Sequence, residues 1–244
     1  MFTSTQFLTR TLAVDAQIAA FFVDRDVPPD NRYWKGKELY VAGGTGFLFI
    51  PLIYNILLHL GADRTQLSGE SHIRRMEAIL DSAGKVEHDH LTGEQHVDEC
   101  IRLAEPWVRN QFLWNALQEY YIGHGGEPTA LLGQTILPLN RADTFLFAFC
   151  DLDMSESATR GLIRQWYALI GAFLLMDDVV DWEADEQSGE ENALRFLGAG
   201  EPAKAKAMAI LEGYFGTLEE LNPDLAIYLD NLLRKKMKTI YGLR

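Results

Sequence analysis

Leu174-Leu175-Met176-Asp177-Asp178-Val179-Val180-Asp181-Trp182-Glu183-Ala184-Asp185-Glu186-Gln187-Ser188-Gly189-Glu190 is the stretch on which the reading of this chain turns. Just upstream, Leu162, Trp166, Leu169, Ile170, Phe173 and Leu174 recur at intervals that mark one buried helix face. Ser155 gives a partial capping signal, with Ala158 where a complete capping box has Glu or Gln. The spacing predicts one long helix that starts after Ser155, runs through the aspartates and ends over 188–190. On that helix Asp177, Asp181 and Asp185 stack one turn apart, with Asp178 beside them, while Glu183 and Glu186 point elsewhere.

Like charges stacked in this way repel, by roughly 0.2–0.5 kcal/mol per pair on an exposed helix. The first aspartates follow the apolar run 172–176, and Val179, Val180 and Trp182 are interleaved, so part of the stripe is expected beside the core. Unpaired carboxylates are costly there. A hard divalent cation relieves both penalties: Mg²⁺ takes one or two carboxylates, keeps several waters and bridges to phosphate oxygens. The plain alternative is an acidic helix end that meets solvent.

Outward from this helix the periodicity stays helical, with no sustained period-two alternation. Helices are predicted over 3–23, 47–60, 71–83, 93–124 with a kink at Pro106, 128–137, 141–151, 191–197, 201–221 and 223–241. Pro28 and Pro29 end the first, 31–46 is the least regular segment, and 85–93 reads as a polar loop. No repeat, low-complexity tract or linker interrupts the pattern. The expectation is a single all-α domain, 1–244, a bundle of about nine or ten helices.

Composition narrows the function classes. The chain has 244 residues, 48% of them hydrophobic, with 13 Phe, 9 Tyr and 5 Trp, enough for a core without disulfide or metal staples. A net charge of −13 repels phosphate backbones and anionic lipid, which argues against nucleic acid as a partner. Cys100 and Cys150 form no disulfide framework or zinc pattern and are expected as reduced core thiols in a cytoplasmic protein. The N-terminus does not read as a convincing secretion signal: its n-region is weak, and Arg10 and Asp15 interrupt its apolar run. Residues 41–60 are long and apolar enough to suggest a membrane span, but Gly43, Gly44, Gly46, Pro51, Asn55 and His59 break them up. A buried central helix entered through a glycine turn is the expectation.

The segment Met176-Asp177-Asp178-Val179-Val180-Asp181-Trp182-Glu183-Ala184-Asp185 resembles the aspartate-rich motif of class I isoprenoid synthases. That superfamily covers polyprenyl diphosphate synthases, squalene and phytoene synthases, and terpene cyclases. The resemblance spans about 20 residues. It implies a helical bundle with a deep central cavity, and aspartates at its mouth holding Mg²⁺ ions that grip an allylic isoprenoid diphosphate. Loss of the diphosphate would leave a carbocation shielded by aromatic walls. On this reading Asp177, Asp178 and Asp181 carry catalysis and, with Asp185, bind metal. Whether the diphosphate leaves by cyclisation or chain transfer is open, as is a homodimer. The rival reading is a non-catalytic subunit or lipid-binding protein of the same fold.

Such enzymes carry a second metal-binding motif, and a second DDxxD is absent here. Glu77 and Asp81, four apart on the helix that bears Arg74 and Arg75, are the best substitute, with Asp98, Glu99 and Glu94 behind them. Cations for the diphosphate are sought in Arg74, Arg75 and the basic tail Arg234-Lys235-Lys236-Met237-Lys238 through Tyr241 and Arg244. Lys238 and Tyr241 are the tail's expected contacts. Arg160 and Arg164 precede Asp177 by more than three turns and are set aside. His88, His90 and His96, with Glu87 and Asp89, could bind Zn²⁺, but their spacing fits neither a zincin helix nor a finger, so a solvated loop is expected. Gly43-Gly44-Thr45-Gly46 lacks the Lys-Ser/Thr of a P-loop.

Overall fold

The computed structural model describes residues 4–88, 90–189, 191–198 and 200–241, with 239–241 as backbone only. Its described residues are all-α: eleven α-helices and short 3₁₀ and π turns, with no strand. The N-terminal helix expected over 3–23 is two helices, α1 (Thr5–Thr11) and α2 (Ala16–Val23). The break lies at Ala13, with φ +47°, and at Asp15, whose carboxylate accepts from the Gln17 and Ile18 N–H groups and caps α2.

Helix α3 (Thr45–His59) follows the glycine turn, with Gly44 at φ +128°, and every residue from 48 to 57 is buried. The apolar stretch is thus a central helix of the bundle, and no helix among the described residues is long and apolar enough to cross a membrane. After the short α4 (Arg64–Leu67), α5 (Glu70–Glu87) runs a turn beyond the predicted stop at 83. Gly84 makes room there: a Cβ on it would lie 2.5 Å from the Tyr33 nitrogen, so the irregular segment after Pro29 crosses α5 at this point.

The single helix expected over 93–124 is divided. Thr92 and Gln95 form a full capping box for α6 (Gly93–Ala104), Pro106 sits in a 3₁₀ turn, and Asn110 caps a fresh start, α7 (Gln111–Gln118). The helices predicted over 128–137 and 141–151 are irregular chain and 3₁₀ turns (Leu137–Asn140, Asp143–Phe149). Local polar bonds displace the helical ladder: Asn140 donates to the Gln134 carbonyl and accepts from its N–H, and Gly133 holds φ +88° against Pro128 and the Tyr120 ring.

The long helix forms as the sequence predicts. Helix α8 (Glu156–Ser188) starts at Ser155, whose hydroxyl accepts from the Ala158 N–H, and stops at Gly189 in the left-handed region. The short α9 (Leu194–Leu197), α10 (Gly200–Glu219) and α11 (Pro223–Tyr241) complete the chain. α8 is the axis, packed against α3, α10 and α11. The middle of the bundle, where the resemblance implies a cavity, is packed with rings: Phe145 stacks on Trp166 at 5.6 Å, and Phe49 meets Phe145 edge-on at 5.0 Å. Cys100 and Cys150 are buried free thiols.

Candidate functional site

The aspartates occupy the last three turns of α8, where the helix leaves the core. Asp177 stands on the rim of a pocket of about 240 Å³ between three helices. The start of α3 contributes Gly44, Thr45 and Leu48; α11 contributes Tyr228, Leu232 and Lys236. The α11 residues are four apart, so one helix face carries an aromatic ring, an apolar side chain and a cation in vertical order. The pocket is largely apolar, with Asp177 and Lys236 as its charged groups.

The four aspartates divide into two pairs. Asp177 and Asp181 are exposed, and no hydrogen bond or ion pair among the described residues takes up either carboxylate. Surrounding protein pushes the Asp177 carboxyl above the usual carboxylate range, and the Asp181 charge one turn on pushes it further; Lys236 and Arg141 oppose the shift. Asp178 and Asp185 are engaged elsewhere. Asp178 is 4% exposed, accepts from the Ala193 N–H at 2.8 Å and lies 3.6 Å from Arg141. Burial raises its carboxyl, and the Ala193 bond works against that rise. Asp185 accepts from Asn192 Nδ2 at 2.8 Å.

The other expected residues sit apart from this pocket. Glu77 is buried and bound by Arg25 Nε at 2.6 Å, and Arg25 also reaches Glu70. Asp81 accepts from the Arg32 N–H at 2.7 Å and pairs with Lys85 at 2.9 Å. Arg74 is exposed beside Glu70, while Arg75 pairs with Asp151 and lies 4.7 Å from the centre of the Trp107 ring. Asp151 also takes His72 Nδ1 at 2.8 Å, and the Tyr54 hydroxyl meets His72 Nε2 at 2.7 Å. Lys238 is exposed and two positions past Lys236, so it faces another direction. The side chain of Tyr241 lies outside the described residues, as do Arg244 and Asp89. The loop expected to hold all three histidines does not: His96 is turned inward between Ser82 and Thr144, at 2.8 and 2.9 Å, and burial lowers its pKa.

Three further residues lie at the aspartates: Lys236, which the sequence reading met only as one member of the basic tail, and Arg141 and Asn192, which it passed over. The spacing of Tyr228, Leu232 and Lys236 holds a signal for the first, because one helical face that ends apolar positions in a cation suits a pocket edge. Arg141 and Asn192 reach the aspartates only through the tertiary fold.

Among the described residues no group of three or more His, Cys, Asp or Glu side chains is placed to hold a metal by itself. The donor set nonetheless suits Mg²⁺. Asp177 and Asp181 offer hard oxygen ligands one turn apart, open to solvent, and Mg²⁺ binds through one or two carboxylates with waters and phosphate oxygens in the remaining positions. Lys236 and Arg141 are the cations beside that pair. Comparison of the chain with family models, with characterised proteins and with solved structures gave no match.

Proposed function

We propose that the chain handles an isoprenoid diphosphate through Mg²⁺ held by Asp177 and Asp181. One observation carries the reading: the exposed Asp177 lines an apolar pocket with Lys236 on its facing wall, and the exposed Asp181 follows one turn on along α8. Mg²⁺ bound there would offset the negative charge of a leaving diphosphate. Lys236 and Arg141 would face the remaining phosphate oxygens. Leu48, Tyr228 and Leu232 would take the allylic end of the hydrocarbon and keep water from it. In the ionisation step the allylic C–O bond breaks, its electron pair stays on the diphosphate oxygen, and the carbon is left as a cation. The buried free thiols suit a cytoplasmic setting.

The test is thermal stability with geranyl or farnesyl diphosphate, with and without Mg²⁺, followed by product analysis. A Mg²⁺-dependent rise in melting temperature, absent in Asp181→Asn, is the expected result. Stabilisation that is independent of Mg²⁺, or equal in Asp181→Asn, overturns the reading.

A second reading, binding without turnover, draws on the ring-filled bundle and on the second acid set. Glu77 is neutralised by Arg25, and the pocket of about 240 Å³ is smaller than most small-molecule sites. Mg²⁺-dependent stabilisation with the diphosphate recovered intact selects it.

A further inference from the structure

At the far end of the bundle from the aspartates lies a second pocket, of about 290 Å³. Leu152 on its wall comes just before the Ser155 cap of α8, and Asp177 lies about 33 Å beyond that cap along a straight helix. Three segments enclose the pocket: the turns from Asp63 to His72, the 3₁₀ turn that ends at Trp107 with Arg109 after it, and Asp151 with Leu152. Reciprocal bonds lock these walls together. Gln66 donates to Asp153 Oδ2 at 2.9 Å and accepts from the Asp153 N–H at 3.2 Å. The Arg109 and Asn110 N–H groups both donate to the Cys150 carbonyl, at 2.8 and 2.9 Å. The fold therefore sets the shape of the pocket before any ligand arrives.

Its polar groups are of two kinds. Asp151 is spent: His72 takes one oxygen, and Arg75 Nε and Nη2 take the other. That grip holds the Arg75 guanidinium 4.7 Å from the centre of the Trp107 ring and leaves Nη1 without a partner among the described residues. Arg109 pairs with Asp153 in solvent, a bridge that costs little to exchange. Asp63 gives one oxygen to the Gln66 N–H as the cap of α4, and no cation among the described residues pairs with it. Trp107 is 53% exposed, an indole left uncovered beside these charges. Two guanidinium groups with donors to spare, a carboxylate without a counter-ion and an open aromatic ring thus line one cavity. We propose that this pocket binds a free α-amino acid with an aromatic side chain. The ligand carboxylate would meet Arg75 and Arg109, its ammonium Asp63, and its ring Trp107. A zwitterion carries no net charge, so the −13 of the chain does not oppose its entry. A phosphate would meet the same arginines, but it would also meet Asp63 and that field.

The experiment is calorimetric titration of the full chain with L-phenylalanine, with phenylpropanoate, which lacks the ammonium, and with phenethylamine, which lacks the carboxylate. The expected Kd for L-phenylalanine is below about 1 mM, with each analogue weaker by about tenfold or more. Asp63→Asn keeps an oxygen to cap α4 and should weaken L-phenylalanine about tenfold while phenylpropanoate changes by less than about twofold. Arg109→Gln should weaken L-phenylalanine about fivefold and phenethylamine by less than about twofold. Trp107→Ala should weaken L-phenylalanine about tenfold. All three side chains are exposed, so these variants keep the fold. No binding of L-phenylalanine at about 10 mM overturns the inference. So does either analogue bound as tightly as L-phenylalanine, or an L-phenylalanine affinity unmoved in Asp63→Asn. The titration contains neither Mg²⁺ nor a diphosphate, so a failure here leaves the role proposed for Asp177 and Asp181 standing.

Discussion

The acids of α5 and its surroundings and the acids that end α8 are made of the same side chains under opposite terms. Around α5 the buried or half-buried carboxylates are bonded to cations: Glu77 has Arg25, and Asp151 has Arg75, with His72 as a further hydrogen-bond partner. Burial acts to raise the Asp151 carboxyl, yet the bonds from His72 and Arg75 outweigh it and hold it below the usual range. At the end of α8, Asp177 and Asp181 are exposed and unpaired among the described residues, and Asp177 is shifted the other way. A carboxylate whose partners are supplied by the fold holds elements together. A carboxylate left without one at a pocket rim can exchange water for a ligand. The lesson is that charge count marks neither site; what separates them is whether a cation is bonded to the carboxylate, as Arg25 is to Glu77, or only stands near it, as Lys236 does to Asp177.

The comparison breaks most readily at Arg25. Removing one partner of a buried ion pair strands the other, so Arg25→Ala should lower unfolding free energy by about 3–5 kcal/mol, measured by urea denaturation. A loss below about 1 kcal/mol would place the Glu77 pair in the same class as surface bridges.

A third regime, burial without a cation, sharpens the contrast next. Asp143 is fully buried and accepts from Trp166 Nε1 and the Tyr167 hydroxyl, both at 2.9 Å. Burial pushes its pKa up to about 7 against the donors that favour the ionised form. The folded chain therefore keeps a proton that the unfolded chain loses, from about pH 4 to about pH 7. Stability contributed by this group is full below that window and falls as pH rises through it, by roughly 2–4 kcal/mol. Chemical denaturation across pH 4–8 should show this decline, and Asp143→Asn should flatten it; an unchanged slope in the variant would reject the assignment.

The smallest effect lies at the open pair. Asp181→Asn removes a repulsion and no bond, so the metal-free protein should gain roughly 0.2–0.5 kcal/mol at low salt, with the gain fading at high salt. A loss above about 1 kcal/mol would reveal a structural partner and move Asp181 into the α5 class.

Helix α8 was the most legible element, because its apolar period, its serine cap and its glycine stop agree with one another. Boundaries failed where side chains supply the decisive bonds. Asp15 divides the first helix, Asn110 restarts a helix after Pro106, and Asn140 holds Gln134 in a loop that periodicity alone reads as helical. The candidate site was legible only along single helices. The stripe of aspartates follows from spacing, but that Asp178 and Asp185 are spoken for depends on a loop returning from 191–193. Lys236 stood inside a basic run whose members share no face, so only the fold could choose it over Lys238.

The acidic end of α8 also has a consequence for its own persistence. Its last turn carries no basic residue, while Asp185 and Glu186 sit among the carbonyls at the negative pole of a 33-residue helix. That pole disfavours anions, so this terminus is opposed by its own macrodipole. A cation seated at Asp177 and Asp181 would lessen the opposition, and ion binding would be felt as firmer winding of the final turns. Amide hydrogen exchange over 181–188, slowed by Mg²⁺ while the core amides of α8 keep their rates, is where that coupling would be read.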